Sequence, residues 1–88
     1  MAYVYILESL KTNRFYIGST IDLEKRLSKH NTGEVKSTQK FRPYRIVFNC
    51  EVGSLSQARK IELKLKRLKR KDYIKRIVDS GLLTFKTH

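Results

Sequence analysis

The sequence predicts an α+β fold with its elements in the order ββαβαα. Three patterns carry that expectation: two β-prone stretches split by a polar turn, one long alternating stretch, and two helix-period apolar stripes at the end. Tyr3 to Glu8 alternates and is rich in β-branched and aromatic residues. Lys11-Thr12-Asn13 is polar and Arg14 to Ser19 is again β-prone, so the two stretches read as a hairpin. Asp22 is placed to cap a helix that carries Leu23 and Leu27 and runs to about Asn31. A polar loop follows, from Asn31 to Pro43. From Tyr44 to Val52, alternation puts Tyr44, Ile46, Phe48, Cys50 and Val52 on one face, which predicts a strand buried on one side. Cys50 reads there as a small buried hydrophobe. Ser54 followed by Gln57 is a capping-box signature, and the helix it opens aligns Leu55, Ala58, Ile61, Leu65 and Leu68. Tyr73, Ile74, Ile77 and Val78 continue in helical spacing as far as Gly81, a natural stop. At about 100° per residue this last group points roughly 150° away from the earlier stripe, so two helices with a bend near Lys71–Asp72 are expected.

The chain has 88 residues, which predicts one domain spanning 1–88. Hydrophobic residues make up 40%, enough for a core and too many for a disordered tail. The apolar runs are short, which excludes a transmembrane helix, and Met1-Ala2-Tyr3-Val4-Tyr5 does not begin a signal peptide. One cysteine and two histidines exclude an internal disulfide and a zinc cluster, and a cytoplasmic setting is the expectation. Twenty Lys+Arg against eight Asp+Glu leave a net charge of +12. Such a field attracts polyanions: nucleic acid first, then an anionic membrane or an acidic protein. The alternative, a merely solvated surface, would mix the two signs more evenly.

With only eight acids, the unusual one stands out. Glu62 lies inside the apolar stripe of its helix, whereas the other seven fall at strand ends, caps, loops or polar faces. A carboxylate in that position needs a positive partner. A divalent cation would serve, and so would an ion pair with Lys66 at i,i+4 or Arg59 at i,i−3, and position alone does not choose between them. In the preceding helix Arg26 and His30 stack one turn apart, beside the face that meets the sheet. Singly they read as a snorkelling arginine and a satisfied core histidine; together they make a phosphate clamp beside a proton-exchanging group. His88, at the end of the chain, reads as inert. In the hairpin, Tyr3, Tyr5 and Leu7 share a face, and a connection with an even number of residues would add Tyr16 and Gly18 to it. Tyrosines so spaced are commonly core fillers, but here they could join Arg26 and His30, and Gly18 would permit close approach to the strand.

Several hydrolytic designs are excluded. No neighbouring pair of carboxylates could hold two metal ions, and two histidines, one terminal, cannot build a histidine–metal finger. Glu62-Leu63-Lys64 spells an E-x-K, but in a helix rather than on a strand. A single carboxylate can still suffice for Mg²⁺, which keeps several waters and takes other oxygens from substrate phosphate.

Taken together, Tyr3-Val4-Tyr5, Phe15-Tyr16-Ile17-Gly18-Ser19-Thr20, Asp22-Leu23-Glu24-Lys25-Arg26-Leu27, His30-Asn31 and the lone helical Glu62 resemble the GIY-YIG nuclease superfamily. Within it, the chain is similar to the small single-domain UPF0213-like branch, akin to the nuclease domain of the excision-repair protein UvrC. The likeness runs from about Tyr3 to Lys69. It implies a three-stranded antiparallel sheet flanked by helices and metal-dependent phosphodiester hydrolysis with one Mg²⁺ or Mn²⁺. Carried over by position, Tyr5 and Tyr16 are the motif tyrosines. Tyr16 orients or deprotonates the attacking water, and Tyr5 or His30 assists the proton transfer. Arg26 grips the scissile phosphate and Glu62 holds the metal ion. Three departures stand out: Tyr3 replaces the first motif glycine, Ser19 stands where many members carry lysine, and no supporting asparagine follows Asn49.

The resemblance and the charge favour an endonuclease acting on DNA, single- or double-stranded, with no small-molecule cofactor and no membrane partner. The alternative is a nucleic-acid-binding module that keeps the fold without cutting; a weaker one is a subunit docking its basic helices on an acidic partner. The expected contact surface comprises Lys36, Lys40 and Arg42 in the loop with Lys66, Arg67, Lys69, Arg70 and Lys71 near the second helix end. For that surface too, simple solvation is the competing reading.

Overall fold

β1 (Ala2–Ser9) is apolar on both faces, with Ala2, Val4 and Ile6 buried on one side and Tyr5 and Leu7 on the other. A strand of that kind belongs in the middle of a covered sheet. The computed structural model, which describes residues 1–68 and 70–81, places it there. β2 (Phe15–Thr20) and β3 (Tyr44–Val52) flank it, both antiparallel, in the order β2-β1-β3. α1 (Leu23–Asn31) covers the Tyr5 and Leu7 face through Leu23 and Leu27. α2 (Leu55–Leu68) and α3 (Lys71–Ser80) cover the opposite face, burying Ala58, Ile61 and Leu65 from one helix and Ile74 and Ile77 from the other. The expected architecture and element order are therefore present. No helix among the described residues is long and apolar enough to cross a membrane.

The hairpin register decides which tyrosines meet. Glu8 pairs with Phe15, leaving six residues, Ser9 to Arg14, in the connection. Six is even, so Tyr5 faces Gly18 and Leu7 faces Tyr16, all on the α1 side of the sheet. Ser9 organises the turn: its Oγ accepts from the N–H groups of Lys11 and Thr12, both at 3.1 Å, and donates to the Phe41 carbonyl at 2.5 Å. Asn13 takes the left-handed conformation, φ 62°, which asparagine tolerates better than most residues.

β3 departs from its sequence pattern. Ile6 pairs with Phe48 but Leu7 pairs with Ile46, so Val47 is an extra residue in a β-bulge. Phe48, Cys50 and Val52 consequently join the core beneath α2 and α3, while Tyr44 and Ile46 join Tyr5 and Leu7 beneath α1. Period-2 alternation puts all five on one face only if the ladder is unbroken, and the bulge breaks it. Cys50 is half-buried rather than enclosed. The loop from Asn31 to Pro43 is also more ordered than its polarity suggests, with a 3₁₀ turn at Gln39–Phe41.

The helix ends follow their capping chemistry. Asp22 accepts from the Lys25 N–H at 3.1 Å, and Ser54 accepts from the Gln57 N–H at 3.2 Å while the Gln57 side chain reaches back to the Gly53 N–H at 3.1 Å. Gly81 closes α3 at φ 72°. The bend falls slightly before its expected place: α2 ends at Leu68 and Arg70 is already an extended N-cap, so α3 starts at Lys71. Re-aiming the chain there lets Leu65 and Ile74 enter one core despite their divergent faces.

The last residue of α1 is clamped to β3. Asn31 Oδ1 accepts from the Tyr44 N–H at 2.7 Å and its Nδ2 donates to the Tyr44 carbonyl at 3.1 Å, a side-chain imitation of a strand pairing. Replacing it, Asn31→Ala, leaves both partly buried groups of Tyr44 unpaired and is expected to cost roughly 1–3 kcal/mol in urea unfolding. A loss below ~0.5 kcal/mol would mean that water takes over both bonds.

Candidate active site

The site grows from the Tyr5–Gly18 pairing. A Cβ at position 18 would lie 2.5 Å from Tyr5 Cζ, so only glycine lets the Tyr5 ring lie across β2. α1 then presents Arg26 and His30 to the same ring, one turn apart. Arg26 Nε donates to Tyr5 Oη over a long 3.4 Å, and Tyr5 Oη lies 3.1 Å from His30 Nε2. His30 Nδ1 lies 2.7 Å from Thr38 Oγ1, which donates to the Val35 carbonyl at 3.3 Å. The Tyr16 ring meets the imidazole edge-on, 4.9 Å between centroids, and Tyr44 packs nearby at 6.1 Å.

The directions of these bonds are assigned from the two ends that cannot reverse. Arg26 only donates and the Val35 carbonyl only accepts. With the Thr38 hydroxyl spent on Val35, His30 Nδ1–H donates to Thr38 and Nε2 is left to accept from Tyr5. Every member is then satisfied, and among the described residues no buried side-chain N or O lacks a partner. The imidazole is wholly enclosed; burial first, then the Arg26 charge, pushes its pKa down to about 4. It is neutral at pH 7. Burial also raises the Tyr5 pKa, outweighing the guanidinium beside it, so this hydroxyl keeps its proton.

Tyr5 is only 2% exposed and His30 0%, whereas Tyr16 and Arg26 are half-exposed. The cluster thus has an inner tier of Tyr5, His30 and Thr38 and an outer tier of Tyr16 and Arg26. Both tyrosines bear on the Arg26 guanidinium, whose pKa is raised chiefly by the Tyr5 hydrogen bond.

Glu62 approaches from α2, on the other layer. Ser19 donates to its Oε1 at 2.5 Å, and the Lys66 ammonium sits 2.7 Å from its Oε2. Of the partners left open by position, the i,i+4 lysine is the one in place. Its partner Ser19 follows Gly18 on β2, and the carboxylate is near enough for its charge to help raise the Tyr5 pKa. Its side chain is 20% exposed. Among the described residues no group of three or more His, Cys, Asp or Glu could hold a metal ion. One carboxylate beside one hydroxyl suits a hard ion such as Mg²⁺, which would take its remaining oxygens from water and phosphate.

The expected basic contacts divide. Lys66, Arg70 and Lys71 line a cleft of about 430 Å³ with Tyr16, at the β2 edge of the molecule. Arg67 faces a different cleft, with Lys60 and Lys64. Lys36 and Lys40 are exposed in the loop, while Arg42 is spent on the Gln39 carbonyl at 2.9 Å. Arg70 is braced by Asp72 at 3.0 Å and stacks over Tyr73. Lys69 and His88 lie outside the described residues.

Sequence reading missed Thr38, Arg14, Lys25 and Lys29. Arg14 lines the Tyr16 cleft, and Lys25 and Lys29 share a cleft of about 290 Å³ with Arg26. The two lysines were detectable from their i,i+4 spacing beside Arg26; Thr38, one polar residue in a polar loop, carries no such signal.

Residues 1–76 match the family profile described as the GIY-YIG catalytic domain. A UPF0213 protein of Syntrophus aciditrophicus is 42% identical over 78 residues, covering 85% of this chain and 87% of that protein. One from Pectobacterium carotovorum is 37% identical over 67 residues, covering 75% and 67% respectively. The solution NMR structure of a UPF0213 protein from Bacillus halodurans aligns with a TM-score of 0.56 at 34% identity, covering 92% of this chain and 87% of that one.

The enclosed imidazole makes stability depend on pH. With its folded pKa at about 4, below the ordinary 6.5, the folded state binds fewer protons, so stability is complete above about pH 6.5 and falls as pH drops towards 4. The loss is expected to reach at most ~3 kcal/mol. Urea unfolding between pH 8 and 4.5 checks it: His30→Gln should lower the plateau and flatten this slope, and an unchanged slope would assign it to other groups.

Proposed function

Because the chain belongs to the GIY-YIG family, we propose that it is a Mg²⁺- or Mn²⁺-dependent endonuclease that hydrolyses DNA phosphodiester bonds. The observation that carries this reading is the outer tier, Tyr16 and Arg26, held over an enclosed Tyr5–His30–Thr38 chain, with Glu62 of α2 joined to the same β2 strand through Ser19.

Each residue's part follows from its position. Arg26 commits one N–H to Tyr5, and its remaining donors grip the scissile phosphate and stabilise its growing charge. The half-exposed Tyr16 hydroxyl orients the attacking water. As the water attacks, Tyr5 takes up the proton it loses and gives its own to His30 Nε2, so the phenol stays protonated and the imidazole, neutral beforehand, carries the proton. A pKa of about 4 makes the imidazole a weak acceptor in the free protein. A bound phosphate offsets the Arg26 charge that helps depress it, so the histidine becomes more basic when substrate arrives. Glu62, with the Ser19 hydroxyl beside it, would hold one divalent ion, which supplies Lewis-acid polarisation of the phosphate. The basic cleft of Arg14, Lys66, Arg70 and Lys71 guides the nucleic acid to Tyr16.

A second reading, a binding module that does not cut, is favoured by one observation: both oxygens of Glu62 are already engaged. One assay separates the two. Purified protein is incubated with single-stranded and supercoiled DNA, with and without Mg²⁺ or Mn²⁺. Metal-dependent cleavage is expected, and Glu62→Gln and Arg26→Ala should each lower it by roughly 100-fold or more while DNA affinity changes far less. Variants that cut as fast as the parent would assign the activity elsewhere, and a parent that binds without cutting would establish the module.

The charge makes a further expectation. DNA affinity should fall steeply and linearly in log–log form as salt rises, and Arg14→Ala with Lys71→Ala should lower the slope by about one to two counterions. A flat salt response would remove phosphate contact as the main source of affinity.

A further inference from the structure

We propose that Lys66 is a removable occupant of the metal position, so that metal binding and nucleic-acid binding at this site are coupled. The inference rests on Glu62 being the ion-holding residue of the proposed nuclease.

The geometry makes the lysine an obligatory competitor. Its ammonium lies 2.7 Å from Glu62 Oε2, and an Mg²⁺ ion would bind that oxygen at about 2.0–2.1 Å. Both cannot share one oxygen lobe, because two positive charges would then stand only a few ångströms apart. The other oxygen offers no easy escape, since Ser19 occupies Oε1. The two occupants differ in kind. A serine hydroxyl has lone pairs, so Ser19 can turn and present its oxygen to the ion. An ammonium has three donors and no acceptor, so Lys66 can only leave.

It has somewhere to go. The Lys66 side chain is 49% exposed and lies on the rim of the Tyr16 cleft. Among the described residues that cleft is lined by Arg14, Arg70 and Lys71 and by no acidic residue. A lysine leaving Glu62 therefore finds like charges and no replacement carboxylate. A phosphate chain in the cleft would supply the missing negative charge. Without nucleic acid the lysine stays on Glu62 and weakens the hold on the ion; with it, the lysine transfers to a phosphate and the carboxylate is released. Each ligand then favours the other by the same factor, as binding linkage requires.

Mn²⁺ alone, without nucleic acid, tests this in the ¹⁵N-labelled full chain. Paramagnetic broadening of the Ser19 and Glu62 amide signals reports occupancy independently of activity. Lys66→Met should reach half-broadening at roughly fivefold lower Mn²⁺ than the parent, a typical size for such coupling. Lys66→Arg, which keeps the charge, should resemble the parent, and Glu62→Gln should abolish the response in either background. The amide spectra also verify that each variant is folded. Equal Mn²⁺ response in the parent and Lys66→Met, or no response at Ser19 and Glu62 in either, overturns the proposal. Cleavage by the parent alongside such a result would leave the nuclease standing without the lysine competitor, whereas failure of the nuclease itself appears as a parent that does not cut.

Discussion

The hydroxyl of Tyr5 is where three parts of the chain are locked together. It stands on the central strand, meets Arg26 and His30 from α1, and lies over Gly18 of β2. Polar groups this deep are tolerable only when all are paired, because each unpaired one would cost on the order of 1–3 kcal/mol. The chain from Arg26 to the Val35 carbonyl meets that condition by fixing every hydrogen in one direction. The price of completeness is rigidity: neither the histidine tautomer nor the tyrosine rotamer can change alone. Rigidity of this kind is what a site that must place a water against a phosphate requires.

Across the β2 edge the electrostatics are of another kind. The Tyr5 cluster is enclosed and nearly neutral apart from Arg26, whereas Glu62 is partly exposed and paired with Lys66, which also lines the basic cleft. The molecule carries a net charge of +12, so an ion of charge +2 approaches against the overall field, and a polyanion approaches with it. For the proposed nuclease, that field favours the same order, nucleic acid first, as the Glu62–Lys66 pair does.

Much of this was legible in the sequence where a local rule acts alone. Asp22, Ser54 with Gln57, and Gly81 mark helix ends because capping is decided within a few residues. The helical stacking of Arg26 on His30 was visible for the same reason. What stayed hidden depends on partners remote in sequence. The Val47 bulge arises from the pairing of β3 with β1, and alternation within β3 alone points all five apolar residues one way. Thr38 becomes part of the site only because the loop folds back over His30. Glu62 was singled out by its place on the helix, but its actual companions, Ser19 and Lys66, were open alternatives or unseen until the layers were assembled.

The bulge also gives β3 two employers. Its first half, Tyr44 and Ile46, fills the layer that supports the tyrosine–histidine cluster, and its second half, Phe48 to Val52, fills the layer that seats α2. Inserting or deleting one residue between them would exchange inside for outside along half the strand, whereas an apolar replacement at either position leaves the phase untouched. Spacing is therefore the constrained quantity in this segment, and a change of chain length there would propagate to Tyr5 or to Glu62 without touching either.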